Sequence, residues 1–136
     1  MIDIFNEMYT GLVNALSTDD STKDMGIDTD GVYVNMPSKF PFVSMEQIDN
    51  RVYQQGGDCC EIENFAETEY EINIYTKDPE KKTKGNTIAN VVDNFFKEYG
   101  FTRLSKNNLQ SPDETTYRIV MRYYGVVSKD HTIYRR

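Results

Sequence analysis

The chain has 136 residues, a length that suits one domain with a single hydrophobic core. Its residues are 38% apolar, and no apolar run approaches the roughly 20 residues that a membrane-spanning helix needs. The amino terminus lacks the basic-then-apolar order of a secretory signal. We therefore expect a soluble protein that is made in a cytoplasm and has no membrane partner.

The net charge of −7 divides unevenly along the chain. Residues 1–71 include 15 acidic and 3 basic residues, a net charge of −12, whereas residues 72–136 include 7 acidic and 12 basic residues, a net charge of +5. The negative total disfavours general binding to nucleic acid, which requires a basic surface to neutralise phosphate. The asymmetry indicates either two solvated faces or two complementary surfaces for head-to-tail association of several copies.

The first half of the chain predicts one helix and two exposed loops. Residues 1–16 have apolar side chains three or four positions apart, which is the period of an amphipathic helix. These apolar residues are Ile2, Phe5, Tyr9, Leu12, Val13 and Leu16. Residues 17–31 and 50–64 are polar and follow neither the helical nor the strand period, so we expect exposed loops there. Short strands are expected at 32–34 and near 40–47.

The second half predicts two strands and a long helix. Residues 66–76 alternate, with apolar or small residues at even positions and acidic residues on the other face, as in a half-buried strand. Residues 80–99 have the apolar spacing of a helix, which Gly100 ends. Residues 101–104 alternate briefly, and polar residues at 106–108 and 111–113 then predict a turn before a strong alternating strand at 115–127.

The order of these elements predicts an α+β fold. A helix, two or three strands, a second helix and two further strands do not make the βαβ alternation of a parallel sheet. We expect a single-domain layer sandwich, in which a mixed or antiparallel sheet of about four strands packs against two helices. Residues 131–136 either add a last short strand or form a basic arm. The expected core residues are Phe5, Leu12, Leu16, Ile72, Ile74, Ile88, Val92, Phe95, Tyr99, Ile119 and Met121.

Two arginines in the last long strand are candidate partners for the acidic strand face. The acidic residues are Glu67, Glu69 and Glu71, and the arginines are Arg118 and Arg122. Opposite charges at alternating positions stabilise a sheet when their strands are neighbours. We expect charge pairs among these residues, either across neighbouring strands or across a boundary between subunits.

The two cysteines and the single histidine form no recognisable site. Cys59 and Cys60 are adjacent, so a disulfide between them would close no loop, and a zinc ion would need more ligands than the chain offers. His131 lies near the carboxyl end, where little surrounds it to orient a catalytic base. We interpret the thiols as structural or incidental and the histidine as a surface residue.

The acidic segment Asp28-Thr29-Asp30-Gly31 does not fit a calcium loop. When Gly31 is placed at the fixed glycine of an EF-hand loop, Gly26 and Pro37 occupy the positions of two carboxylate ligands. The glutamates of the 66–76 strand are better explained by charge pairing than by paired catalytic carboxylates. We therefore expect no metal, no cofactor and no enzyme activity.

Several segments, taken in order, resemble the small minor capsid and tail terminator proteins of long-tailed bacteriophages. The resemblance covers roughly residues 40–136, and none of its segments is a catalytic signature. It rests on Phe40-Pro41-Phe42-Val43 with Glu46, on the strand 69–76, on a lysine-rich turn, on the helix 91–96, on Gly100-Phe101 and on the strand 117–125.

The resemblance implies a virion protein that is assembled in the bacterial cytoplasm and remains at the head-tail interface. Its copies would form a ring, commonly a hexamer, that caps the tail tube protein and docks on the head connector or stopper protein. A ring lumen with acidic lining would suit the passage of DNA because it does not hold phosphate. Two alternatives stay open: a head-completion, adaptor or stopper protein, and a small metal-dependent enzyme such as a nuclease.

Overall fold

The computed structural model describes residues 3–23, 25–31, 40–52, 65–77, 81–109, 116–128 and 133–134. These residues form two helices and six strands. The helices are α1 (Phe5–Thr18) and α2 (Lys81–Glu98). The strands are β1 (Asp28–Asp30), β2 (Phe42–Val52), β3 (Phe65–Lys77), β4 (Thr102–Leu109), β5 (Thr116–Ser128) and β6 (Ile133–Tyr134).

The six strands form one mixed sheet that is not closed into a barrel. Strands β2, β3, β5 and β4 follow one another in antiparallel pairs. The short β1 lies parallel beside β2, and the short β6 is antiparallel to the end of β5. The expected α+β sandwich with a mixed sheet and two helices is confirmed, with four long strands and two short ones.

Strand β3 lies at the centre of the sheet, and its alternation gives the sheet two different faces. The even-numbered side chains from Ala66 to Thr76 are buried, and four of them belong to the same core cluster as side chains of both helices. We call this side the helix face. The odd-numbered side chains of β3 point to the other side, which we call the opposite face. Among the described residues, no helix packs on the opposite face.

The two helices bury their apolar stripes side by side on the helix face. Helix α2 lies over β3, β5 and β4, and α1 contacts α2. Phe96 of α2 is fully buried, and its ring stacks on Tyr123 of β5 with a centroid distance of 4.3 Å. Tyr99, which the spacing places in the core, is 45% exposed and instead packs its ring on Phe95 at 4.9 Å. Tyr99 follows the last residue of α2, in the turn that leads to Gly100, whereas Phe95 and Phe96 of the last helical turn are buried.

Two glycines determine the path of the chain after α2. Gly100 has a φ of 89°, a left-handed conformation that glycine adopts without steric cost and that ends the helix. The chain then turns so that Phe101 enters the core against Gly125 of β5. A Cβ atom at Gly125 would lie 2.7 Å from the Phe101 ring, so only glycine leaves room for this contact.

The segment 17–31 is not the simple exposed loop that its polar composition predicts. Helix α1 continues to Thr18, and Thr22 is buried, where its hydroxyl donates to the Leu16 carbonyl oxygen at 2.7 Å. Strand β1 follows within the same segment. A three-residue parallel pairing uses backbone hydrogen bonds and needs no apolar alternation, so the sequence contains no signal for it.

The first part of the predicted turn, 106–108, is wrong because these residues lie within β4, and its second part, 111–113, lies outside the described residues. An edge strand that is solvated on most of its surface has no need of alternating apolar residues, so β4 has the composition of a loop. Residues 50–52 belong to β2 rather than to a loop. The rest of the 50–64 loop and the strand predicted at 32–34 lie outside the described residues.

Candidate functional site

One of the predicted charge pairs lies on the opposite face between β3 and β5. Glu71 is directly opposite Arg122 in the strand register. The Arg122 Nη2 atom is 3.3 Å from the Glu71 Oε1 atom. Because the arginine side chain is 52% exposed, solvent screens this pair, and its contribution to stability is under about 1 kcal/mol.

Glu67 and Glu69 lie beside Arg51 of β2, a residue that the sequence places in a loop. The Arg51 Nε atom is 3.0 Å from Glu67 Oε2, and its Nη2 atom is 3.5 Å from Glu69 Oε1. Arg51 also contacts the Asp49 carboxylate, and its hydrogen bond to Glu67 is the main cause of the raised pKa of its guanidinium. A register shift after Gln47 brings these β2 side chains to the opposite face, and a strict alternation argument misses it.

Arg118 lies away from this group of charges within the chain, and its predicted pairing across a subunit boundary stays a prediction. It is directly opposite Tyr75, four residues along β3 from Glu71 or roughly 13 Å at the rise of a strand. Its guanidinium donates to the Asn73 Oδ1 atom at 2.9 and 3.3 Å and lies over the Tyr75 ring at 5.5 Å. A buried amide and an aromatic ring therefore hold Arg118 in place of the glutamates.

The charges at this end of the opposite face lie on three neighbouring strands, and we call them the acidic ladder. Its members are Glu46, Asp49, Arg51, Glu67, Glu69, Glu71 and Arg122. Five carboxylates and two guanidinium groups give the ladder a net charge of −3. Tyr124 donates its hydroxyl to Glu67 at 2.8 Å, and Glu46 lies directly opposite Glu71. The ladder is thus an acidic sheet surface in which like charges are only partly compensated.

The edge strand β4 has basic charge on the helix face. Arg103 Nη1 is 3.2 Å from the Asp93 carboxylate of α2, and Lys106 Nζ is 3.5 Å from Asn86 Oδ1. Between these two residues Leu104 is 51% exposed, at the position where the β4–β5 register shifts. The same Asp93 accepts a hydrogen bond from the buried Tyr123 hydroxyl at 2.9 Å; burial first, and then this bond, raise the pKa of Tyr123.

An open groove lies between the carboxyl-terminal halves of α1 and α2, with a volume of about 440 Å³. We call it the interhelical groove. Its lining residues are Ala15, Thr18, Asp19, Asp20, Val91, Asn94, Phe95 and Glu98. Three of them are acidic, and three have apolar side chains. The last turn of α1 contains no basic residue, so the negative end of its dipole is not offset within that turn.

Asp19 organises the turn at one rim of the interhelical groove. Its Oδ1 atom accepts hydrogen bonds from the Ser21 backbone N–H and the Ser21 hydroxyl at 2.9 and 2.5 Å. The hydroxyl bond, then the backbone bond, hold the pKa of Asp19 below its usual 3.8. Asp19 therefore remains negatively charged at any physiological pH.

Within the described ranges, no group of three or more His, Cys, Asp and Glu side chains is arranged to hold a metal ion. In the same part of the chain, neither helix combines the length and the apolar character that crossing a membrane requires. Cys59, Cys60 and His131 lie outside the described residues. A comparison with models of protein families and with curated protein sequences finds no match to the chain.

Proposed function

We propose that this chain is a structural protein of bacteriophage assembly, a tail terminator. In this proposal its copies form a ring, a hexamer, that closes the finished tail tube and joins it to the head connector. The proposal joins the resemblance of residues 40–136 with the surfaces described above. Its chemistry is binding alone, without a cofactor and without an enzymatic step.

The observation that carries the proposal is the acidic ladder on a sheet face that no described helix covers. With the helices outside and the opposite face inside, a ring of copies would line its lumen with ladders of net charge −3 each. Duplex DNA that passes such a lumen meets carboxylates, which do not hold phosphate. A basic lining would slow the passage by binding the DNA backbone. The placement of charge therefore suits a conduit better than a nucleic-acid binding protein.

A binding assay with purified particles tests this function. We expect the protein to bind the free ends of tail tubes, and electron micrographs should place it as a cap at one end of each tube. Tubes assembled without the protein should vary in length or lack heads, and adding the protein should restore joining. Binding to portal rings with no affinity for tube ends would instead identify a head-completion or adaptor protein. Tube ends that stay bare at saturating protein would contradict the proposal.

A further inference from the structure

The interhelical groove and the β4 edge have opposite charges, and each includes apolar side chains. The groove is lined by three carboxylates, those of Asp19, Asp20 and Glu98, and by apolar side chains that include Phe95. Asp20 also forms an exposed ion pair with Lys23 at 3.1 Å, so the lining keeps a net negative charge. The edge strand presents an exposed Leu104 between two basic residues. An exposed apolar side chain contributes most to a contact when it fills a pocket on the partner.

We propose that the interhelical groove of one copy receives the β4 edge of a second copy. Leu104 of the second copy lies on the apolar side chains of the groove, and its Arg103 and Lys106 face the carboxylates of the groove. The inference rests on the proposed ring and names the contact between neighbouring subunits. The occupant is a second copy because one chain carries both complementary surfaces.

The two surfaces lie on different sides of α2, so one copy can use both at once. Asp93 and Asn86 of α2 face β4, as their contacts with Arg103 and Lys106 require. Asn94 and Glu98 instead line the groove beside α1. A contact between two unlike surfaces is heterologous, and it closes into a ring when its rotation permits.

Each contact of this kind is small, because one strand edge fills one open groove. Small contacts alone are weak, whereas a closed ring makes every copy bind two neighbours at once. The monomer should therefore predominate in dilute solution, and association should rise steeply with concentration or on a tube end. Salt should weaken it, because rim charges are screened over a Debye length of about 8 to 10 Å.

Site-specific cross-linking tests the contact directly. In a background with Cys59→Ser and Cys60→Ser, one tagged chain carries Leu104→Cys and a second chain carries Asn94→Cys at the groove. We expect an oxidised mixture to give a disulfide-linked pair that contains one chain of each kind. Each variant alone lacks an opposing thiol at this contact and should give only the background level.

Charge exchange tests the same contact without cross-linking. Lys106→Glu and Asp20→Lys should each weaken association about threefold to fivefold, the range of an exposed ion pair. The two substitutions in one chain should restore it, because every contact then pairs the exchanged charges. Leu104→Asp should weaken association about tenfold or more. Asn107→Asp is the control for Leu104→Asp, since it adds the same single negative charge at an exposed position of the same strand.

The outcomes separate this inference from the proposed function. Rings or tube caps that form without the mixed disulfide, and that Leu104→Asp leaves unchanged, would overturn the contact and leave the terminator role standing. Loss of tube binding by Leu104→Asp with unchanged self-association would assign the β4 edge to the tail tube protein instead. A wild-type chain that stays monomeric at every concentration, and also on tubes, would overturn both. Unfolding curves of the variants verify that each one is folded.

Discussion

Two buried hydroxyl groups in this protein differ in whether they have a hydrogen-bond partner. The Thr22 hydroxyl donates to the Leu16 carbonyl oxygen at 2.7 Å and ties the turn after α1 to the helix. The Ser44 hydroxyl is fully buried on the opposite face of β2, and it has no partner among the described residues. A buried polar group that lacks a partner costs about 1 to 3 kcal/mol, whereas a satisfied one stabilises by about 1 kcal/mol.

Substitution of these two residues should therefore change stability in opposite directions. Ser44→Ala should raise the free energy of unfolding by about 1 kcal/mol, since it removes an unsatisfied group. Thr22→Val should lower it by about 1 kcal/mol or more, because the Leu16 carbonyl loses its donor. Urea denaturation measures both changes. A loss of stability in Ser44→Ala would mean that its hydroxyl has a partner after all.

The ionisation of Asp19 depends on the hydrogen bonds from Ser21. Because its pKa in the folded chain is below the usual 3.8, the bonds stabilise the fold above that pH, and this contribution disappears as the pH falls through the lowered pKa. Ser21→Ala should move the pKa of Asp19 back toward 3.8, as measured by NMR titration of the carboxyl carbon. Ser17→Ala, on an exposed position of α1, should leave it unchanged.

At the scale of elements, the sequence predicts those that bury one face. Strand β3 spans Phe65–Lys77 where alternation indicates 66–76, and α2 spans Lys81–Glu98 where the helical period indicates 80–99. The sequence indicates only the start of β4 and misses β1, because both strands are largely polar and are placed by backbone pairing with a neighbour. Periodicity detects burial, and an edge strand has little of it.

For a similar reason, the sequence predicts only part of the charge pairing on the opposite face. Alternation alone brings Glu71 to the same face as Arg122. The position of Arg51 on that face depends instead on the register shift between Gln47 and Asp49. A β-bulge reverses the orientation of the side chains that follow it, and nothing in the residues around Ile48 indicates it. The interhelical groove depends on how two helices pack, which local sequence does not determine.

Two substitutions test which face of α2 is buried against the sheet. Phe96→Ala should lower the free energy of unfolding by about 3 to 5 kcal/mol, because this fully buried ring contacts Tyr70, Phe101 and Tyr123. Tyr99→Ala should lower the free energy of unfolding by about 1 kcal/mol or less, because Tyr99 is 45% exposed. Equal losses in the two variants would contradict the observed orientation of α2.

At the scale of the molecule, acidic charge is concentrated on the opposite face and at the interhelical groove, and basic charge lies along β4. Glu46 lies directly opposite Glu71, an arrangement of like charges that is destabilising in a sheet. Such an arrangement is expected where an acidic surface serves function at some cost in stability. In the proposed ring, that function is to keep DNA from binding the lumen.

Charge reversal on the ladder tests this interpretation. Glu46→Lys should keep or slightly raise the free energy of unfolding, by up to about 1 kcal/mol, since it replaces a like-charge pair by an opposite one. Rings that combine Glu46→Lys with Glu69→Lys should bind duplex DNA at low salt, and wild-type rings should not. Fluorescence anisotropy of a labelled duplex measures the binding. Equal DNA binding by both rings would exclude the ladder as the lining of the lumen.

In the proposed assembly, copies of this chain associate head to tail into a closed ring. Native mass spectrometry of the purified protein, at rising concentration and after release from tail tubes, counts the copies directly. We expect one discrete closed species, a hexamer, in exchange with monomer, because a heterologous contact that closes stops growing at a fixed number of copies. A two-fold dimer as the largest species under every condition would contradict a head-to-tail ring.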